Sequence, residues 1–435
     1  MALFDNLRKK ILGSDFDYDG FVGDLYEFHP QLKILLVTNG IFFNNRDSYW
    51  RFLWPVISVL LSIITCAFEL MFIHHGVDIE DYSFATECFC YFLIIFTIPI
   101  VYTSVMLNRN NIIQILDTMN RDFLFICNLG SKYRKTFLQG QMLIKKLCVC
   151  WLIFCVSIVL MYIFSTTAIL LYQSLFATQH ENMVRPLIFP FWLPADDPYR
   201  TPNYEIFFFL QCVEGLIVPQ TFMYIYVLFH ILLHHYYLMS MMTFDIEVLF
   251  HGLDESVVSL SYTDSRLMEV KVILRNRMRR VVKWHNLVLG SVDAVSSVYG
   301  PPLVYQVTIT SLVTCLVAYQ VADSLDHGKL HVIFTMLFIA TCVQLWIPCY
   351  LGTLIRNKAF AVGEAMWNSG WHTTPLGRLL RSDIIIFIKR CQKPVSIKFT
   401  GLPNLELETF SSVGVSFVYL NIINLFLITD NIFAV

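Results

Sequence analysis

The chain has 435 residues, of which 56% are hydrophobic and 15% charged, with a net charge of −2 at pH 7. An average soluble domain carries roughly 25% charged residues, so the composition argues against an ordinary water-soluble fold. No nucleic-acid partner is expected from so balanced a charge.

The N-terminal segment MALFDNLRKKILGSDFDYDG has basic residues near its start but no apolar stretch behind them, so no cleavable signal is expected. Long apolar stretches then occur at 52–73, 84–107, 147–173, 206–242, 294–322 and 330–355, with a weaker one at 409–428, and none contains Lys or Arg. About 20 apolar residues are needed to cross the hydrocarbon core, and a charge near its centre costs at least ~2.5 kcal/mol. The spacing therefore predicts seven transmembrane helices in a single domain, 1–435.

The fourth stretch is the longest. Residues 206–242 would extend ~55 Å as a helix, well beyond a ~30 Å core. Its end, through HHYYLMSMM, should therefore protrude on the cytoplasmic side. Segment 243–293 reads as an amphipathic helix, with Leu267, Val270, Ile273 and Leu274 spaced along one face. A second cytoplasmic helical segment lies within 356–391, its helix at 376–391 ended by Pro394 and the Gly401-Leu402-Pro403 turn. These pieces predict a helical anchor layer beneath the membrane bundle, suited to self-association.

Orientation follows from charge. Of 31 Lys and Arg residues, 28 lie in the N-terminal segment, 108–146, 243–293 and 356–408; the alternate segments hold only Arg185, Arg200 and Lys329. The positive-inside rule then places the N-terminus in the cytoplasm and the C-terminus outside. The expected fold class is an all-α integral membrane protein, embedded in lipid, inverted relative to G-protein-coupled receptors.

None of the 12 cysteines lies in the outer loops or the tail, so no disulfide framework is expected there. Cys88–Cys90 and Cys148–Cys150 point to different sides of a helix and read as packed or lipid-facing thiols. His230 and His234 share a face without an evident third ligand and read as core histidines, so no metal and no cofactor is expected. The carboxylates within the spans are Glu69, Glu87 and Glu214. Glu69 and Glu87 lie near outer ends and are expected to reach water. Glu214 lies about ten residues deep and is the intramembrane acid expected to line a hydrated cavity or to be protonated and hydrogen-bonded. Pro99, Pro219, Pro301-Pro302 and Pro348 should loosen their helices.

On the last span, Ser412, Ser416, Tyr419 or Leu420, Ile423 and Leu427 share one face. Small hydroxyls sit toward its cytoplasmic end and bulky aliphatics toward its outer end. In a bundle around a pore, such a face gives a wet vestibule closed by an apolar ring; the same spacing also suits ordinary helix packing.

Three long segments carry a family resemblance. YGPPLVYQVTITSLVTCLVAYQVA at 299–322 resembles the fifth span of insect odorant receptors. LFIATCVQLWIPCYLGTLIRNKAFAVGEAMWNSGW at 337–371 resembles their sixth span and following helix. KPVSIKFTGLPNLELETFSSVGVSFVYLNIINLF at 393–426 is similar to their C-terminal signature. That wording, with PQLKILLVTNGIFF at 30–43, looks most like the moth sex-pheromone receptor subfamily. Gustatory relatives usually carry Thr-Tyr and Gln-Phe in the last span, where this chain has Val418-Tyr419 and Leu425-Phe426.

The resemblance implies an odorant-binding subunit of a non-selective cation channel. Such subunits pair with an odorant receptor coreceptor as a tetramer around one pore, in the plasma membrane of olfactory neuron dendrites. It places Ile423 and Leu427 at the gate, on the outer side of Ser412 and Ser416 as pore-lining hydroxyls. It also implies an apolar pocket for a volatile, long-chain aliphatic ligand in the outer half of the bundle. By depth, its candidate walls are Tyr91, Phe92, Tyr162, Phe164, Phe209, Cys212 and Val213, with Thr167 and Thr310 as hydroxyl donors. Competing classes fit less well. A metabotropic receptor would show Asp-Arg-Tyr and Asn-Pro-x-x-Tyr motifs, and a transporter a repeated half. An enzyme would show a metal constellation, a nucleophile elbow or a phosphate-binding loop.

Overall fold

The computed structural model describes residues 16–21, 23–41, 52–176, 185–193, 197–217, 219–326, 328, 332–393, 395–397, 404 and 406–412. All regular elements among them are helical. Two short helices, α1 (Leu25–Phe28) and α2 (Pro30–Thr38), precede the first long one, α3 (Leu53–Asp78). Then follow α4 (Tyr82–Leu107), α5 (Arg109–Asn128), α6 (Ser131–Phe176), α7 (Asn203–Ile217) and α8 (Pro219–Glu247). The last are α9 (Ser265–Asp326), α10 (Val332–Asn368) and α11 (Arg381–Cys391).

Six of the helices are long and apolar enough to cross a membrane, and the polarity of α3 explains where it sits. Its buried positions include Ser58, Ser62, Cys66 and Glu69, at helical spacing, whereas Val56, Ile57, Leu60, Ile63 and Ile64 are exposed. A helix in water hides its aliphatics. One that hides serines and shows isoleucines is solvated by lipid tails, where packing favours small residues at the helix contact. By contrast, α5 buries Ile112, Ile115, Leu116, Met119 and Phe123 and turns its polar face outward, as a helix in the aqueous layer must.

At the centre of the bundle is α8. Some 83% of its apolar stretch is buried, against 28% for α3, because α6, α9 and α10 surround it. The approach of α6 is close enough that a Cβ on Gly140 would lie 2.4 Å from the Tyr237 ring. Only glycine fits there.

Several expectations need correction. Within the fourth apolar stretch, 206–242, α7 and α8 cover the described residues, and residue 218 between them lies outside the described residues. Segment 243–293 is not one helix of its own: α8 runs to Glu247, a 3₁₀ turn covers Glu255–Ser259, and α9 then continues unbroken from Ser265 through the fifth stretch. Its 62 residues extend roughly 93 Å. Pro301 and Pro302 lie inside it without ending it. The Tyr224 hydroxyl donates to the Tyr299 carbonyl at 2.9 Å, joining α8 to α9 beside the two prolines. Segment 356–391 likewise divides into the end of α10, a 3₁₀ turn at Pro375–Leu379, and α11. Glu69 does not reach water, being only 2% exposed. Of the pore face, only Ser412 is described; it is exposed and donates to the Glu408 carbonyl at 2.8 Å. Ser416, Ile423 and Leu427 lie outside the described residues.

Two buried polar clusters join the non-spanning parts. The Gln141 amide accepts from His29 Nε2 at 3.0 Å and donates to His234 Nδ1 at 3.2 Å, which sets both imidazole tautomers. Asp245, at the end of α8, takes the Arg280 guanidinium at 2.6 and 2.7 Å and the Tyr133 hydroxyl at 2.5 Å, tying α6, α8 and α9 together.

Candidate functional site

Four helices and one loop enclose a cavity of about 120 Å³. From α4 it is lined by Tyr91, Ile94 and Ile95; from α6 by Trp151, Phe154, Ile158, Val159, Tyr162 and Ile163. Gly215 of α7 and Leu337, Ala340, Thr341 and Gln344 of α10 complete the helical wall. Because α6 and α10 run antiparallel, Tyr162 and Leu337 share one end with Tyr91, while Trp151 and Gln344 occupy the other. Along α6 the two ends are roughly 16 Å apart at 1.5 Å per residue, so the cavity is a narrow slot.

The Tyr91 end is capped by Ile188 and Phe189 of the loop 185–193, the Phe189 ring lying 4.8 Å from that of Tyr91. A buried side chain fastens this cap. Gln211 Oε1 accepts from the backbone N–H of Ile188 at 2.8 Å and of Phe189 at 3.3 Å, and its amide donates to the Phe189 carbonyl at 3.0 Å. The Tyr204 hydroxyl holds the Pro186 carbonyl at 2.9 Å. A buried loop must have its backbone polar groups satisfied, and these two α7 residues do that.

Behind Phe189 lies a second cavity of about 40 Å³, lined by Glu69, Glu214, Phe191, Phe207 and Gln211 among others. The Thr65 hydroxyl donates to the Glu214 carboxyl. Glu214 is therefore buried and hydrogen-bonded beside the larger slot, not within its lining.

The other candidates separate cleanly. Tyr91 and Tyr162 line the slot. Phe164 and Phe209, each 67% exposed, face away from it; depth along a span places a residue in the outer half but does not choose its face. Cys212 packs beside Tyr91, Ile188 and Phe189 without lining the slot. Phe92 and Val213 pack against Cys66, Ile95, Ile98 and Ile217 instead. Thr167 spends its hydroxyl on the Ile163 carbonyl at 2.7 Å. Thr310 is buried in α9, which contributes nothing to the slot.

Of the lining, sequence reasoning reaches only Tyr91 and Tyr162; Ile188 and Phe189, Ile94 and Ile95, Gly215, the α10 wall and the rest of the α6 wall are not among its candidates. PLIFPFW at 186–192 is an apolar run in a segment otherwise expected to face water, and that was the available signal. For α10, Leu337, Ala340, Thr341 and Gln344 follow i, i+3, i+4, i+7 spacing, with two polar groups in an apolar span. The slot is mostly apolar and carries a few polar groups, the general form of a small-molecule site.

Comparison with known proteins agrees with the fold. The family described as 7tm Odorant receptor matches residues 81–419. Among curated relatives, odorant receptor 82a of Drosophila melanogaster is 29% identical over 149 residues, 34% of this chain and 37% of the relative. Odorant receptor 67c of the same fly is 25% identical over 31% of this chain and 32% of the relative. The chain thus spans about a third of the length of these relatives. The solved structure of the insect olfactory receptor OR5 from Machilis hrabei superposes with a TM-score of 0.71, at 16% identity, over 92% of this chain and 98% of that one. Its complex with eugenol superposes at 0.70 over 93% and 98%. With a family match across most of its length, this multi-pass membrane protein belongs to the seven-transmembrane odorant receptor family.

Proposed function

We propose that the chain is the odorant-binding subunit of a ligand-gated, non-selective cation channel assembled with the odorant receptor coreceptor. The observation that carries the reading is the apolar slot between α4, α6, α7 and α10, roofed by Ile188 and Phe189. A volatile hydrophobic ligand gains roughly 0.8 kcal/mol per buried CH₂ in such a site and needs few polar contacts. On this reading the chain crosses the plasma membrane of olfactory dendrites seven times, N-terminus inside. The face of Ser412, Ser416, Ile423 and Leu427 lines the shared pore.

A mechanical link supports coupling of the slot to that last span. Helix α10 contributes four slot residues, is interrupted in its hydrogen bonding at Pro348, and then grips the start of the last span. The Thr353 hydroxyl accepts from Leu407 N at 2.9 Å, and Arg356 pairs with Glu406. A ligand that displaces the α10 wall therefore moves the helix that holds the pore segment.

The ligand class divides two readings. Resemblance to moth sex-pheromone receptors favours a long-chain aliphatic compound, and the length of the slot suits one. Its volume, about 120 Å³, is small beside the ~300 Å³ lower bound for drug-sized ligands, which favours a compact general odorant. A long chain fits once Phe189 turns aside and joins the two cavities. The test is whole-cell current from cells carrying this chain with the coreceptor, under G-protein block, during exposure to long-chain acetates, aldehydes and alcohols and to compact odorants. Fast inward current that requires both chains is expected. A response abolished by the block sinks the channel reading, and activation by compact odorants alone sinks the pheromone assignment.

A further inference from the structure

Tyr162, on the α6 wall of the slot, carries a hydroxyl of interest. The Tyr162 hydroxyl is shielded from solvent and has no hydrogen-bond partner among the described residues. In the facing wall, the Thr341 hydroxyl is already engaged, donating to the Phe338 carbonyl at 3.0 Å. Leaving a buried hydroxyl unsatisfied costs about 1–3 kcal/mol, and such groups are rare in native proteins unless something else completes them.

We infer that Tyr162 is the polar anchor of the odorant slot, donating to an oxygen of the ligand. Resting on the odorant-binding reading, this narrows the ligand to oxygenated compounds with an acceptor at one end and an apolar remainder. The oxygen lies at the roofed end, beneath Ile188 and Phe189. The remainder runs along Ile158 and Phe154 toward Trp151. Selectivity follows from hydrogen bonding: an oxygenated ligand pairs the hydroxyl, whereas a hydrocarbon of equal size gains the same burial and leaves it unpaired, as it is in the empty slot. A protonated amine has no acceptor and is excluded for the same reason.

The test compares probes matched in size: hexanal against heptane, and dodecanal against tridecane. Binding is read as thermal stabilisation of the detergent-solubilised full chain, and current is read in cells carrying the coreceptor. Wild type is expected to prefer each aldehyde over its alkane by roughly tenfold, the value of one hydrogen bond. Tyr162→Phe, which removes only the hydroxyl, is expected to abolish that preference, and thermal unfolding of the ligand-free variant shows whether it folds. No aldehyde preference in wild type, or a preference that survives Tyr162→Phe, overturns the inference. Binding with the expected preference but no current overturns the channel reading alone. Failure of every probe to bind overturns both.

Discussion

Replacing Gln211 with Met removes the fastening of the loop over the slot while keeping the length and volume of the side chain. Gln211 makes three bonds to the loop, of 2.8, 3.0 and 3.3 Å. A neutral hydrogen bond contributes about 1 kcal/mol net, and the longest of the three less, so the change favours loop opening by roughly 2–3 kcal/mol. That corresponds to a rise of roughly 30- to 150-fold in the open population. Hydrogen exchange at the Ile188 and Phe189 amides, measured on the full chain in lipid discs, reads this directly. Exchange in Gln211→Met should quicken by at least about tenfold, while helical amides of the buried α8 stay protected. Gln211→Glu, which keeps an acceptor for the two N–H groups, should fall between wild type and Gln211→Met. Exchange at those two amides within about threefold of wild type would refute the assignment of Gln211 as the fastening.

Three further outcomes are expected. A Cβ on Gly215 meets Val159 and Ile163 at 3.5 and 3.7 Å, so Gly215→Ala fits; at roughly 0.8 kcal/mol per displaced methylene it should weaken ligand response about fourfold. Gly215→Leu should weaken it over a hundredfold by the same scale, at unchanged surface expression; an unaltered concentration–response curve would show that the ligand lies elsewhere. Breaking a buried ion pair costs about 3–5 kcal/mol, but the Arg280 side chain is 42% exposed and that of Asp245 1%. Solvent screening therefore lowers the cost of Arg280→Met to about 2 kcal/mol, and thermal unfolding should show it more damaging than Asp245→Asn; the reverse order contradicts the account. Burial holds His29 neutral and lowers its pKa from 6.5 to about 3, despite its bond to Gln141. The unfolded chain therefore binds the extra proton between those values, so the stabilisation is full above pH 6.5 and is lost as pH falls toward 3. His29→Gln should flatten that part of the stability–pH curve, and an unchanged slope would remove His29 as its source.

The linear chain determines which stretches can enter lipid, because insertion depends on the local sum of side-chain transfer energies over about 20 residues. The apolar stretches, their freedom from Lys and Arg, and the basic segments between them are all local quantities. Family membership was legible for a similar reason: contiguous runs such as 299–322 and 337–371 carry it. What α3 does with its two faces was not legible. A span with apolar residues all round gives no amphipathic signal to say which side meets lipid, and only packing against α4 decided that Ser58, Ser62 and Glu69 turn inward. The same ambiguity separates Tyr162, which lines the slot, from Phe164 two positions on, which faces out. The amphipathic helix α5 is legible in the periodicity of Ile112, Ile115, Leu116 and Met119. The slot itself exists only in three dimensions. Its wall combines residues from position 91 to position 344, and the long-range contacts that close it depend on how helices cross, which no local sum of propensities contains.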